Sequence, residues 1–218
     1  MCGRFSFSPN KKIIEEFYGI DTSDYYPQYN CAPSQTLAVI TNNEDDKISF
    51  FKWGFIPHWA CDLKKIKPMI NAKLETISEK PFFKHSFFNN RCLVPADSFF
   101  EWQNIHNIKI PYRIFLKDRE IFSMAGIWSC CNDKENDKLI YSFAIITTDA
   151  NEFMKPLHNR MPAIIEKKDE EKWLFATDTK ELLNICKPYD SDLMDCYKLS
   201  SKINNPLNNT FEILAPVL

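Results

Sequence analysis

Glycine is nearly missing from this chain, at four residues in 218. Gly3 and Gly126 stand alone, which excludes a glycine-rich phosphate-binding loop. An excess of positive charge is missing too. The 27 Lys and Arg residues face 29 Asp and Glu, for a formal net charge of -2. A general nucleic-acid binder is usually basic, so any such site here is a local groove rather than a global field. No apolar run approaches the ~20 residues of a membrane-spanning helix. No secretory signal opens the chain, because Ser6, Ser8, Asn10 and Lys11 fall where an apolar segment would be needed. The eight cysteines (Cys2, Cys31, Cys61, Cys92, Cys130, Cys131, Cys186 and Cys196) form no C-x-x-C pair, so a zinc ribbon has no support. Without a signal segment, a reduced intracellular chain is expected: cytoplasmic, and nucleoid-associated if bacterial. Internal repeats, low-complexity runs and Gly/Ser linkers are absent as well.

What remains is a chain rich in core material. Hydrophobic residues make up 44% and aromatics 14%, ample for one packed domain over residues 1–218. Ser8 and Pro9 read as the N-cap and first position of a helix over Lys11 to Tyr18, stopped by Gly19. Leu37 to Thr41 and Ile48 to Trp53 read as strands about the polar turn 42–46. Asn71 to Ser78 reads as a short helix. Cys92 to Trp102 reads as a strand interrupted near Pro95 and Asp97. Tyr112 to Leu116, Ile121 to Trp128 and Leu139 to Thr147 look like consecutive antiparallel strands. Short helices follow at Ala150 to Met154 and Glu170 to Phe175. Asp178 to Glu181 is a capping-box pattern opening a helix to Ile185, and Met194 to Leu199 is a late strand. The sum is a compact, β-rich α+β domain.

Cys2 carries the most distinctive chemistry. Once the initiator Met1 is removed, its α-amine and thiol sit on one residue. They titrate near ~8 and ~8.5, so both keep a nucleophilic fraction at neutral pH. An aldehyde meeting this pair forms an imine with the nitrogen. The thiol then closes onto the same carbon, giving a five-membered thiazolidine by an intramolecular step. On position alone, Cys2 reads first as an ordinary residue at an unstructured terminus, and the rest of the sequence reverses that.

Several short segments are too specific for filler. They are Met1-Cys2-Gly3-Arg4-Phe5, Tyr29 to Gln35, Trp53-Gly54-Phe55-Ile56-Pro57-His58-Trp59, Asn71-Ala72-Lys73-Leu74-Glu75-Thr76 and Arg91 to Trp102. Ala125 to Trp128, Ile145 to Thr148, His158-Asn159-Arg160-Met161-Pro162 and the Ile213 to Val217 tail complete the series. In this order they resemble the SRAP family, the SOS-response-associated peptidase domain, over essentially the whole chain. The resemblance implies a single domain with a barrel-like antiparallel core and peripheral helices. It implies an abasic-site processing protein that binds single-stranded DNA and links covalently, as a thiazolidine, to the abasic-site aldehyde through mature Cys2. DNA repair, an accompanying lyase activity and autocatalytic loss of Met1 belong to the same expectation.

Residue roles follow from that resemblance. Glu101, between Phe100 and Trp102, is implied as the acid–base group, since apolar neighbours raise a carboxyl's pKa. The plainer reading is a carboxylate on an exposed strand face. His158 is implied beside the bound sugar. Asn71 is implied as an orienting amide, with helix capping as its plainer role. Arg4, Lys73 and Arg160 are implied phosphate contacts, and Lys73 stands where Arg is common, losing the bidentate fork. Pro33 and Trp59 are implied against bases flanking the lesion, with a core position as the alternative for Trp59. His58, His85 and His106 match no active-site position. No metal, cofactor or membrane partner is called for, and a monomer is expected. The rival reading is a thiol peptidase acting in trans through Cys2 and His158. A second rival is a non-catalytic single-stranded DNA-binding module.

Overall fold

A computed structural model describes residues 2–43, 47–60 and 66–217. Met1, Cys61 and residues 44–46 of the expected 42–46 turn lie outside the described residues. Two sheets organise the chain. The first contains β1 (Phe5–Phe7), β2 (Gln28–Cys31), β7 (Ser98–Ile105), β8 (Ile108–Leu116) and β13 (Met194–Lys198), in the order β13-β8-β7-β1-β2. The second contains β3 (Thr36–Thr41), β4 (Ser49–Trp53), β6 (Arg91–Ala96), β9 (Phe122–Asp133) and β10 (Lys138–Asp149). Its order runs β10-β4-β3-β6-β9, and β9 pairs back onto β10, closing a five-stranded barrel. β5 (Asn71–Lys73) and β11 (Arg160–Pro162) extend β10, and β12 (Ile164–Ile165) extends β9. Closure is antiparallel except at β10–β4, and β5 also joins β10 in parallel.

The interruption expected near Asp97 is the corner where the chain leaves the barrel and enters the first sheet. Tyr112 to Leu116 corrects the expected run of consecutive strands. It belongs to β8, which pairs with β7 and β13 rather than with β9. Between the sheets lies the main core. Phe5 meets Trp53 edge-on at 5.2 Å, and Trp53 stacks on Phe143 at 6.3 Å. A second core packs the outer barrel wall, through Ile127 and Ile146, on α3 (Pro81–Asn89), α4 (Glu170–Phe175) and α5 (Thr179–Ile185). Buried Arg91 donates to Phe87 O (2.9 Å), Leu174 O (3.0 Å) and Ala176 O (2.6 Å), so it satisfies carbonyls at the ends of α3 and α4.

Local corrections have local causes. α1 (Lys11–Tyr18) is capped by Asn10, whose Oδ1 accepts from Ile13 N at 3.1 Å. Ser8 is drawn away instead, giving its N–H and hydroxyl to Asp97 Oδ2 at 2.8 and 2.6 Å. Gly19 ends α1 in the left-handed region at φ 69°. Asn71 lies on β5, not in a helix. α2 (Leu74–Ile77) begins after it, and no side chain caps that helix. Ala150 to Met154 is not a helix. Residues 152–157 form hydrogen-bonded turns, with Asn151 Oδ1 accepting from Met154 N at 2.9 Å.

Candidate active site

Strand register places the N-terminus. β1 pairs antiparallel with β7, with Phe5 opposite Phe99, and Phe100 N–H donates to Arg4 O at 2.9 Å. Continuing backwards along β1 carries Gly3 and Cys2 alongside Glu101, on the first sheet. Asn71 and His158 come from the barrel side, on β5 and on the turn between β10 and β11. The site therefore forms where the two sheets meet.

Cys2 is fully buried. Asn71 Nδ2 donates to Cys2 O at 2.9 Å and fixes the backbone of that residue. Asn71 Oδ1 is buried with no hydrogen-bond partner among the described residues, leaving an unused acceptor two bonds from the Nδ2 that holds Cys2. Helix capping, the plainer role for this residue, is excluded by its strand position. Burial, reinforced by the Glu101 carboxylate, pushes the Cys2 thiol far above its ordinary pKa. Burial likewise raises the Glu101 carboxyl, with His158 opposing the shift. Glu101 is 4% exposed, so the exposed-strand alternative is excluded as well. His158 is half-buried. Its Nδ1 accepts the Arg160 N–H at 2.9 Å, so the neutral ring carries its proton on Nε2.

An open cleft of about 560 Å³ borders this group, lined by Gly3, Arg4, Glu101, Trp102, Lys109, His158 and Asn204. Cys2 and Asn71 are buried and are not among the residues that line it. A larger hollow of about 640 Å³ lies around Arg113 and Lys117, away from these groups. Charges there are spent within the protein: Arg113 pairs with Asp97 at 3.5 Å, and Lys117 donates to Asp192 O at 2.8 Å.

The implied DNA contacts divide. Arg4 lines the cleft, but its guanidinium already donates to Asn30 Oδ1 (2.6 Å), Ile203 O (2.8 Å) and Asn204 O (3.2 Å). Arg160 is buried and holds Glu75 by a two-pronged contact at 2.6 and 3.0 Å, and Asp149 at 2.7 Å. Its geometry is that of a scaffold for the His158 turn. Lys73 is exposed beside Glu75. Pro33 and Trp59 are exposed and line other ground than the cleft. Trp59 is 52% exposed and meets Phe82 edge-on at 6.2 Å, which rules out a core position. Sequence reasoning assigned no role to Trp102, Lys109 and Asn204. Trp102 stood beside Glu101 in a quoted motif, whereas nothing local marks Lys109 or Asn204.

Fold and site define a β-barrel protein that sets Cys2 close to a buried carboxyl and an imidazole. The chain belongs to the SOS response associated peptidase (SRAP) family, whose model matches residues 1–206. It is 43% identical to abasic site processing protein YoqW of Bacillus subtilis, over 98% of this chain and 99% of that one. It is 31% identical to abasic site processing protein HMCES of Rattus norvegicus, over 90% of this chain and 67% of that one. A crystal structure of a Bacteroides thetaiotaomicron protein superposes with a TM-score of 0.91 at 32% identity, covering all of both chains. No helix among the described residues is long and apolar enough to cross a membrane.

Proposed function

We propose that this protein processes abasic sites in single-stranded DNA by covalent capture through Cys2. The Asn71 to Cys2 hydrogen bond carries the reading, because it fixes the residue that needs both its amine and its thiol. The names of the relatives support the same activity.

The steps follow from the groups present. While Met1 is attached, the Cys2 nitrogen is an amide and no nucleophile, so processing comes first. The freed amine adds to the sugar aldehyde, with Asn71 Oδ1 accepting one of its N–H groups. Glu101, whose carboxyl burial raises above its ordinary pKa, donates to the departing hydroxyl, and water leaves as the imine forms. The Cys2 thiol adds to the imine carbon and its proton passes to the nitrogen. The balance is amine, thiol and aldehyde in, thiazolidine and one water out. His158 Nε2–H serves proton transfer at the sugar. An imine also permits β-elimination, the route to lyase activity.

A peptidase acting in trans needs a thiolate beside an imidazolium. Here burial and Glu101 raise the thiol's pKa, which disfavours a resting thiolate–imidazolium pair, whereas ring closure onto the imine hands the thiol proton to the adjacent nitrogen.

Mixing processed protein with a single strand carrying one abasic site is the test. A denaturing gel is expected to show a heat-stable shifted band for wild type and none for Cys2→Ala. Cys2→Ser is expected to give only an imine, trapped by borohydride and lost on heating. The same heat-stable band from Cys2→Ala would overturn the proposal.

A further inference from the structure

Beyond the cleft, β7 and β8 continue outward as a two-stranded arm with no assigned task. Its tip is a two-residue turn, Ile105 opposite Ile108, with His106 at φ 50° and Asn107 at φ 68°. Positive φ at both positions is the tight hairpin geometry that follows strand twist, so the tip is a defined shape. Ile105 and Ile108 are 40% and 66% exposed. Exposed isoleucines paired across a hairpin end form an apolar edge, and neither packs into the core clusters.

Three observations tie this edge to the cleft. Side chains on a strand alternate, so Glu101, Gln103 and Ile105 share one face, with Ile108 and Ile110 opposite them. Gln103 Nε2 donates to Pro156 O at 3.2 Å, which holds the arm against the turn that carries His158. The other face presents exposed Lys109, which lines the cleft beside Trp102. From Trp102 to Lys117 the chain has no acidic residue, although acids outnumber bases overall. The arm therefore suits a polyanion with apolar faces.

We infer that the β7–β8 hairpin is a DNA-contacting arm: Lys109 meets a backbone phosphate, and Ile105 with Ile108 packs on a base flanking the lesion. Glu101 and Ile105 are four strand steps apart, about 13 Å, the span of about four stacked nucleotides. Apolar side chains of this kind wedge against or between bases in other DNA binders. This inference deepens the function proposed above and rests on it.

The experiment uses a strand with a central tetrahydrofuran abasic analogue, which has no aldehyde and so reads binding alone. One strand has ten-nucleotide flanks and is followed by fluorescence polarisation. Another has two-nucleotide flanks and is measured by competition. The Ile105→Ser/Ile108→Ser double variant is expected to bind the long strand about tenfold more weakly and the short one within about twofold of wild type. Lys109→Ala is expected to lower the slope of log affinity against log salt by about 0.7 on the long strand. Wild-type affinity for the long strand in both variants, or equal losses on both lengths, overturns the arm. Covalent capture is scored separately with the aldehyde-bearing strand. If processed wild type forms no crosslink, the proposed function fails while the affinities still decide the hairpin.

Discussion

Glu101 holds its proton where an ordinary carboxyl would release it, and the cause is burial between the two sheets. That has a thermodynamic sign. The folded state binds this proton more tightly than the unfolded chain, so stability is lost as pH rises through the folded pKa. Glu101→Gln removes the titrating group. Melting curves at pH 5 and pH 8 are expected to show the variant gaining on wild type as pH rises, while crosslinking falls by at least about 100-fold. A variant that tracks wild type across this range would remove burial as the source of the shift. The ordered motifs, rather than position alone, singled out Cys2, Glu101 and His158 as candidates, and the fold sets Cys2 beside the Glu101 carboxyl. Arg4 and Arg160 were legible only as charges. Sequence does not reveal that Arg160 is already engaged by Glu75 and Asp149, because those partners lie 85 and 11 residues away.

Elements with their own local signals were read well. α1 and α5 carry stop and cap residues, Gly19 and Asp178, and both helices form where expected. Elements held by neighbours were missed. β1 and β2 are three and four residues long, too short to show alternation, and the three-residue β5 is a strand only because β10 accepts it. β1 matters most, since it delivers Cys2, and its anchor is a side-chain hub. Buried Asp97 accepts from Ser6 Oγ, from Ser8 N and Oγ, and from Ser98 Oγ at 3.1 Å, and it faces Arg113 at 3.5 Å. Asp97→Ala leaves those donors without their acceptor and an arginine beside them. It is expected to cost about 3 kcal/mol by urea unfolding. Crosslinking should fall with it, because β1 loosens, although Asp97 is remote from the cleft. Ser8→Ala removes one of these bonds and should cost only about 1 kcal/mol with near-normal crosslinking. Equal effects from both changes would show that Asp97 is not the hub.

At the scale of the molecule, one sheet supplies Cys2 and Glu101, and the closed barrel supplies Asn71 and His158. The barrel must therefore close at a fixed diameter for the four groups to meet, and Gly126 sets one of its tightest seams. It lies opposite Cys92 where β6 meets β9. A Cβ added there would sit 2.7 Å from Cys92 Sγ, 2.9 Å from Val94 Cγ2 and 3.3 Å from Ala144 O. The scarcity of glycine in the sequence flagged this position as solitary, but only the closed barrel explains it, because both walls converge on one residue. Gly126→Ala is expected to cost about 1–3 kcal/mol through overpacking. Removing the nearest obstacle tests the cause. Cys92→Ala takes away the sulfur, so the double variant should cost less than the sum of the two single changes by about 1 kcal/mol. Strict additivity in urea unfolding would mean that the seam relaxes elsewhere. Gly126 and Cys92 are not among the cleft-lining residues. The crosslinking rate of the double variant, measured well below its melting temperature, should therefore stay within about twofold of wild type. A loss of crosslinking without a loss of stability would instead mean that barrel diameter is transmitted directly to Asn71.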